Sequence, residues 1–218
     1  MHIEFIDLLR CPRRHADSWL IAAFNRMDGR LVVDGTLGCP VCNAEYPISG
    51  GVADFRAKVG EPYPIRSAAS VRVAIPEPET ERDDDVMRLA AMLGLSRPGM
   101  LVLLAGSVAP LSHRLAALTS ARVLNLNPNA ADIGDSDAVG SIRIDSTIPI
   151  APRAVDGIAL DAAAASLDLV EEAVRVLKPG GRLTAPASVL LPASLRELAR
   201  DKLSVVAESV GELVTLGR

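Results

Sequence analysis

Three cysteines and a histidine near the start of the chain carry the strongest chemical signal in the sequence. Cys39 and Cys42 form a C-x-x-C pair in "GCPVCNAEYPISGGV", and Cys11 lies upstream in "LLRCPRRH", with His15 close behind it. A C-x-x-C turn can hold one tetrahedral zinc ion, and a small ribbon can bring a second knuckle to it. The expected ligands are Cys11, His15, Cys39 and Cys42. In the alternative interpretation the metal has been lost, and the thiols are small buried hydrophobes.

A second candidate site lies in "LVLLAGSVAP", residues 101–110. An apolar strand here runs into a turn with a single glycine, Gly106. Nucleotide-binding loops at such places usually carry two or three glycines, because the backbone must approach the ligand closely. The stretch is therefore a cofactor loop, the remains of one, or an ordinary turn.

Charge and composition narrow the class of partner. The 218 residues carry a net charge of −4 with no basic block, so nucleic acid is not expected as a partner. Neither a signal peptide nor a long apolar run is evident, and the three cysteines are an odd number, which suits a reducing compartment. We expect a cytoplasmic protein with no membrane segment.

Composition divides the chain into two domains. Residues 1–56 hold all three cysteines, all three phenylalanines and the only tryptophan, whereas residues 85–218 are rich in Ala, Leu, Val and Gly. Residues 57–84 are rich in prolines and acids and predict an extended linker in which "SVRVAI" could be a short strand. The acidic run 77–85 is interpreted as solvated.

Strand and helix patterns alternate from Asp85 onward. The sequence predicts helices in "DVMRLAAMLGL", "PLSHRLAALT" and "SLDLVEEAVRVL", with strands in "MLVLLA", "ARVLNL", "SIRID", "VDGIALD" and "RLTAPA". Near the end of the chain it predicts a helix in "PASLRELAR" and a hairpin of "KLSVVAE" and "ELVTLG". Such alternation indicates a doubly wound α/β domain: a parallel sheet with a terminal antiparallel hairpin. "KPGG" is interpreted as a turn, with Lys178 in solvent.

The N-terminal segment resembles the Trm112-like family of small zinc-ribbon proteins over about residues 3–56. "FIDLLRCP" and "GCPVCNAEYPISGGVADF" carry the resemblance, while Arg14 stands where that family has its second cysteine. His15 is the neighbouring residue that could supply the missing ligand. The resemblance implies a β-rich zinc ribbon that binds methyltransferases. Fused to a second domain, the ribbon is expected either to cover that domain in cis or to recruit another copy or another protein.

The remainder of the chain, from about Asp85, is similar to class I S-adenosylmethionine (SAM) methyltransferases. "LDLVEEAVRVLKPGGRLTAP" and "IDSTIPIAPRAVDGIAL" carry this resemblance. It implies a Rossmann-like sheet in which three residues would bind SAM. Gly106 stands at the first glycine of the cofactor loop, Asn127 in place of the ribose-binding acid, and Asp145 at the adenine-binding acid. Leu104 replaces the first acid, while Val108 and Pro110 replace two glycines and are expected to fill the cofactor's space.

No residue of "LDAAAASLDL", after the fourth strand of that fold, is suited to orient or deprotonate a methyl acceptor. Asp156 is interpreted as the acid that opens the strand, and Asp161 as a helix cap, so no catalytic residue is assigned. The sequence favours a catalytically silent, methyltransferase-like pseudoenzyme. It is expected to act as a partner-binding, regulatory or self-associating module, with a homodimer as one form of self-association. An active SAM-dependent methyltransferase and a binder of another small ligand remain as alternatives.

Overall fold

The computed structural model describes residues 1–56, 79–129 and 136–211. Within these residues, 11 strands form one mixed sheet in the order β1-β2-β3-β4-β7-β6-β5-β8-β9-β11-β10. The first part of the chain supplies α1 (Ile3–Ile6), β1 (Ile21–Asp28), β2 (Leu31–Gly38), β3 (Glu45–Ser49) and β4 (Val52–Asp54). The rest supplies α2 (Glu79–Leu93), β5 (Leu101–Ala105), a 3₁₀ helix (Gly106–Leu111), α3 (Ser112–Thr119), β6 (Arg122–Leu126), β7 (Val139–Arg143), β8 (Val155–Leu160), α4 (Leu167–Val176), β9 (Leu177–Pro186), β10 (Leu195–Arg200) and β11 (Ser204–Ser209).

The strands β7, β6, β5, β8 and β9 run parallel, as the alternation of strands and helices predicts. Side chains alternate across the sheet, so Val102 and Leu104 of β5 pack with α2 and α3 on one face. Leu101 and Leu103 face the opposite core, which includes α4. Both faces of β5 are therefore covered, which explains why its five residues form an uninterrupted apolar run.

The antiparallel hairpin at the end of the sheet confirms the predicted fold class, but its strands differ from those expected. Residues 195–200, predicted as a helix, form β10, which pairs with β11, and β11 in turn pairs antiparallel with β9. The Asp201 carboxylate accepts the N–H groups of Leu203 and Ser204 at 2.7 Å and thereby turns the chain. Strand pairing thus overrides helical leucine spacing. The other predicted strand, "ELVTLG", lies outside the described residues.

The "KPGG" segment is part of a strand instead of a separate turn. Strand β9 begins at Leu177 directly after α4, and its register against β8 shifts between Val155 and Gly157. Gly180 absorbs this bulge with a φ of +78°. Lys178, predicted to lie in solvent, has a side chain that is 44% exposed, and its Nζ lies 2.8 Å from the buried carboxylate of Asp156, which also accepts the N–H of Leu101.

The N-terminal segment continues the sheet of the α/β part. Strand β4 pairs parallel with β7, matching Val52 with Ser141 and Asp54 with Arg143. Phe5 and Leu9 are fully buried in the core shared with Leu124 and Ile142. His2 is buried at the start of α1, where its Nε2 accepts a hydrogen bond from Arg30. A β-rich N-terminal unit and the parallel sheet therefore share one core.

Two predictions fall in the segment between these parts. Helix α2 begins at Glu79, so the end of the acidic run is helical instead of extended. The candidate strand "SVRVAI" at residues 70–75 lies outside the described residues. Among the helices that the structure describes, none has the length and apolarity needed to cross a membrane.

Candidate metal centre and cofactor cleft

The three cysteines and His15 converge at one end of the N-terminal unit. Cys39 and Cys42 lie in the turn between β2 and β3, which closes through a hydrogen bond from Asn43 N–H to the Cys39 carbonyl and through the left-handed φ of Asn43. Cys11 enters from the segment after α1. The Sγ atoms of the cysteines and a ring nitrogen of His15 all lie within 4.8 Å of one another.

Two of the distances within this cluster match those of a tetrahedral metal site. Cys11 and Cys42 have their Sγ atoms 3.7 Å apart, and His15 Nε2 lies 3.4 Å from Cys39 Sγ. Two thiolates bound to zinc at about 2.3 Å are separated by roughly 3.8 Å in a tetrahedron, and a thiolate and an imidazole by slightly less. The Cys/His group could therefore bind a metal ion such as zinc.

His15 presents the correct ring nitrogen to this cluster. Its Nδ1 lies 2.6 Å from the carbonyl oxygen of Ala16 and donates to it, which leaves the lone pair of Nε2 facing Cys39. This hydrogen bond raises the pKa of His15. Metal-bound histidines commonly hold their second nitrogen in this manner. Arg14 is exposed, so the neighbouring position, His15, supplies the fourth donor of the group.

The thiols differ in how readily they ionise. Burial raises the pKa of Cys39, but the N–H groups of Cys42 and Val41 more than offset it and lower the value to about 6. Burial raises the pKa of Cys11 above its ordinary range. Metal ligation requires thiolates, and the turn that carries Cys39 supplies backbone donors that stabilise one.

The loop after β5 has a different shape from the expected glycine loop. Gly106 has a φ of +79°, and the residues after it form the 3₁₀ helix. Val108 packs against the apolar cluster of α2 and α3, and Pro110 is exposed. That these two side chains fill the cofactor's space stays a prediction.

A carboxylate from the neighbouring strand lies over Gly106 instead. Asp161 follows β8, and a Cβ placed on Gly106 would overlap its carboxyl group. One carboxylate oxygen accepts the N–H of Ser107 at 2.9 Å, and the other accepts those of Ala163 and Ala164 at 3.0 and 2.8 Å. Asp161 thus caps a turn, while the cap of α4 is Ser166. Sequence reasoning missed the contact with Gly106, because it joins residues far apart in the chain.

Asn127 forms a hydrogen bond within the chain, and Asp145 lines a groove. Asn127, with a φ of +51°, uses its Oδ1 to accept the N–H of Ile144 at 2.8 Å. The residue expected to bind a ribose thus already accepts one hydrogen bond within the chain. Asp145 lines a groove of about 320 Å³ between the two parts of the chain, together with Arg13, Tyr46 and Phe55. Neither Gly106 nor Asn127 lines this groove, so the three expected cofactor residues do not share it.

The order of the strands from β7 to β10 in the sheet identifies the fold. The fold is that of the class I methyltransferases. Counted from β5, the strands of the α/β part stand in the order 3-2-1-4-5-7-6, with the seventh antiparallel to its neighbours. The terminal hairpin therefore occupies the place it has in this methyltransferase fold.

Comparisons with solved structures find matches at low similarity. They include the [4+2]-cyclase SpnF, 18% identical over 54% of this chain and 58% of that chain with a TM-score of 0.43. Geranyl diphosphate C-methyltransferase from Streptomyces coelicolor A3(2) is 23% identical over 47% of this chain and 42% of that chain, with a TM-score of 0.41. A chain of the complex between the Haloferax volcanii Trm112 methyltransferase activator and the putative methyltransferase is 21% identical over 49% of this chain and 56% of that chain, with a TM-score of 0.37.

The matches span roughly half of each solved chain. No protein-family model matches the sequence, and no curated protein matches it either.

Proposed function

We propose that this chain is a catalytically silent, methyltransferase-like protein that acts as a protein-binding or self-associating module. The observation that carries the proposal is the position of Asp161 over Gly106. A carboxylate of the chain itself accepts the Ser107 N–H and fills the space beside the glycine. A SAM molecule would have to displace this carboxylate and break its hydrogen bonds before its own carboxylate could approach.

The second support is the loss of the other expected anchors. The apolar Leu104 is fully buried at the position of the first acid, and the Asn127 side chain is engaged by the Ile144 N–H. Each missing charge-assisted hydrogen bond weakens binding by about 1.5–3 kcal/mol, which for two bonds amounts to roughly two to four orders of magnitude.

An unpaired edge of the sheet supports a role in association. In the part of the chain that the structure describes, β1 pairs with β2 on one side only, and apolar side chains are exposed along it. Ile21 is 65% exposed, and Trp19, just before the strand, is 62% exposed. An edge strand with exposed apolar residues offers backbone groups and apolar area to another chain.

The Cys/His group is proposed to hold a structural zinc ion. Cys11, His15, Cys39 and Cys42 would ligate it, and the ion would crosslink the two knuckles of the N-terminal unit. Because this unit contributes β4 to the sheet and Phe5 to the shared core, it covers the α/β part in cis.

Calorimetric titration with SAM and with S-adenosylhomocysteine tests catalytic silence. We expect no binding tighter than roughly 100 μM, which corresponds to about −5.5 kcal/mol. An Asp161→Ala variant, titrated in parallel, shows whether this carboxylate is the obstacle. Tighter binding by the wild-type protein would reject the proposal and favour an active SAM-dependent methyltransferase.

Sedimentation velocity over a range of concentrations tests self-association. If the β1 edge is the contact, Ile21→Lys should shift the wild-type oligomer to monomer. Leu118→Lys is the matched control, because Leu118 is 55% exposed but lies on α3. A wild-type protein that remains monomeric contradicts self-association and restricts the proposal to a different partner.

A further inference from the structure

Tyr46 places a hydroxyl group against the metal-ligand cluster. It lies in β3, is only 5% exposed, and has its Oη 3.3 Å from the Sγ of Cys11. A tyrosine O–H can donate to sulfur, and a metal-bound thiolate carries no proton of its own, so the tyrosine must be the donor in the loaded state. Tyr46 is thus directed at a ligand without belonging to the ligand set.

The ring of the same residue packs toward the junction with the parallel sheet. Its centroid lies 4.8 Å from that of Phe55, which directly follows β4. The N–H of Phe55 donates to the carbonyl oxygen of Arg143 at 2.8 Å, at the end of β7. Cys11, Tyr46 and Phe55 therefore form a continuous chain of contacts from the metal-ligand cluster to the pairing of β4 with β7.

We propose that Tyr46 is a positioning residue that holds the Cys11 thiolate toward the metal and transmits metal binding to the β4–β7 junction. The inference rests on the proposed zinc site. A hydrogen bond from the phenol fixes the direction of the sulfur lone pairs, and the loss of an outer-sphere partner of this kind typically weakens metal binding 10–100-fold. Because the buried ring has little freedom to rotate, ordering Cys11 also orders the packing of Tyr46 on Phe55.

The test uses the full chain with Tyr46→Phe, which deletes the hydroxyl and keeps the ring on Phe55. Ser18→Ala is the matched control. The Ser18 carbonyl accepts the N–H of Cys11, and its buried side chain donates to the Trp19 carbonyl instead of to sulfur. Zinc affinity is measured by competition with a chromophoric chelator. Cobalt(II) replaces zinc for spectroscopy, and hydrogen exchange at the Phe55 amide is followed with and without zinc.

For Tyr46→Phe we expect zinc binding about 10–100-fold weaker, with Ser18→Ala unchanged. The thiolate-to-cobalt charge-transfer band should move to lower energy, since the sulfur lone pairs lose a donor. Zinc should slow exchange at Phe55 in the wild type and have a smaller effect in Tyr46→Phe. A purely structural role of Tyr46 would leave the cobalt band unchanged.

The two proposals fail in different ways. If the wild-type protein binds no zinc, the proposed metal site is wrong and the inference falls with it. If the wild type binds zinc and Tyr46→Phe binds it equally well with the same cobalt band, the metal site stands and the role of Tyr46 is rejected. Equal zinc-dependent slowing of exchange at Phe55 in both proteins would reject the transmission to the junction.

Discussion

The carboxyl group of Asp161 lies directly over Gly106, so close that any side chain at position 106 would overlap it. The glycine is needed here for two reasons, its left-handed backbone and the neighbouring carboxylate. In the proposed function, the space that a glycine loop keeps for a ligand is used by the protein itself.

Replacing Gly106 by alanine should separate these two reasons. We expect Gly106→Ala to lower the free energy of unfolding by about 3 kcal/mol, because backbone strain and overlap with Asp161 add together. Gly180→Ala is the matched control: its φ of +78° is almost the same, but a Cβ there meets nothing within 4 Å. It should lose only about 1 kcal/mol. Urea unfolding measures both, and equal losses would contradict the contact with Asp161.

The buried carboxylate of Asp156 should matter more for stability than its cationic partner. Asp156→Ala leaves the buried N–H of Leu101 without its acceptor and should cost about 2–4 kcal/mol. Lys178→Met removes an ammonium group whose side chain is 44% exposed and should cost about 1 kcal/mol or less. Chemical denaturation of the two variants checks the order, and a larger loss for Lys178→Met would show that the ion pair dominates.

Stability at acid pH should depend on Asp54, at the end of β4. Burial raises its pKa, but the hydrogen bonds and charge of Arg56 more than offset this and hold the pKa below its ordinary value. A depressed carboxyl pKa adds stability above the unfolded value of about 3.9, and this stability is lost as the pH falls through the folded value. Asp54→Asn should therefore flatten the decline of unfolding free energy below about pH 5.

The control for this pH series is Glu171→Gln, which removes an exposed carboxylate on α4. It should retain the wild-type slope. The role assigned to Asp54 is wrong if Asp54→Asn declines as steeply with falling pH as the wild type.

The proposed zinc site predicts that replacing its ligands lowers the zinc content by different amounts. Protein purified without added zinc should carry about one ion per chain. Cys39→Ala and His15→Ala should both reduce this content, the thiolate variant more strongly, because a thiolate contributes charge as well as a donor atom. His113→Ala, an exposed histidine on α3, is the control and should retain zinc. Elemental analysis gives the content, and equal zinc in His15→Ala and wild type would reject His15 as a ligand.

The repeating elements of the α/β part were predictable because their signals are local. The apolar run of β5 and the spacing of Leu169, Val170, Ala173 and Val176 on α4 reflect burial against a sheet, and each is visible within a few residues. The spacing of the cysteines likewise predicts the metal-ligand cluster. Residues 195–200 were mispredicted because their leucine spacing suits a helix, while their partner strand β11 lies beyond a turn.

The sequence by itself determined the alternation of strands and helices from β5 to β9, the candidate ligands Cys11, His15, Cys39 and Cys42, and the loss of the acids and glycines around Gly106. Only the tertiary structure decided that Asp161 covers that glycine, that β4 joins β7, and that Lys178 pairs with Asp156. The physical reason is the separation along the chain of the residues that interact. Periodicity and spacing are properties of neighbouring residues, whereas these contacts depend on which distant segments the folded sheet brings together.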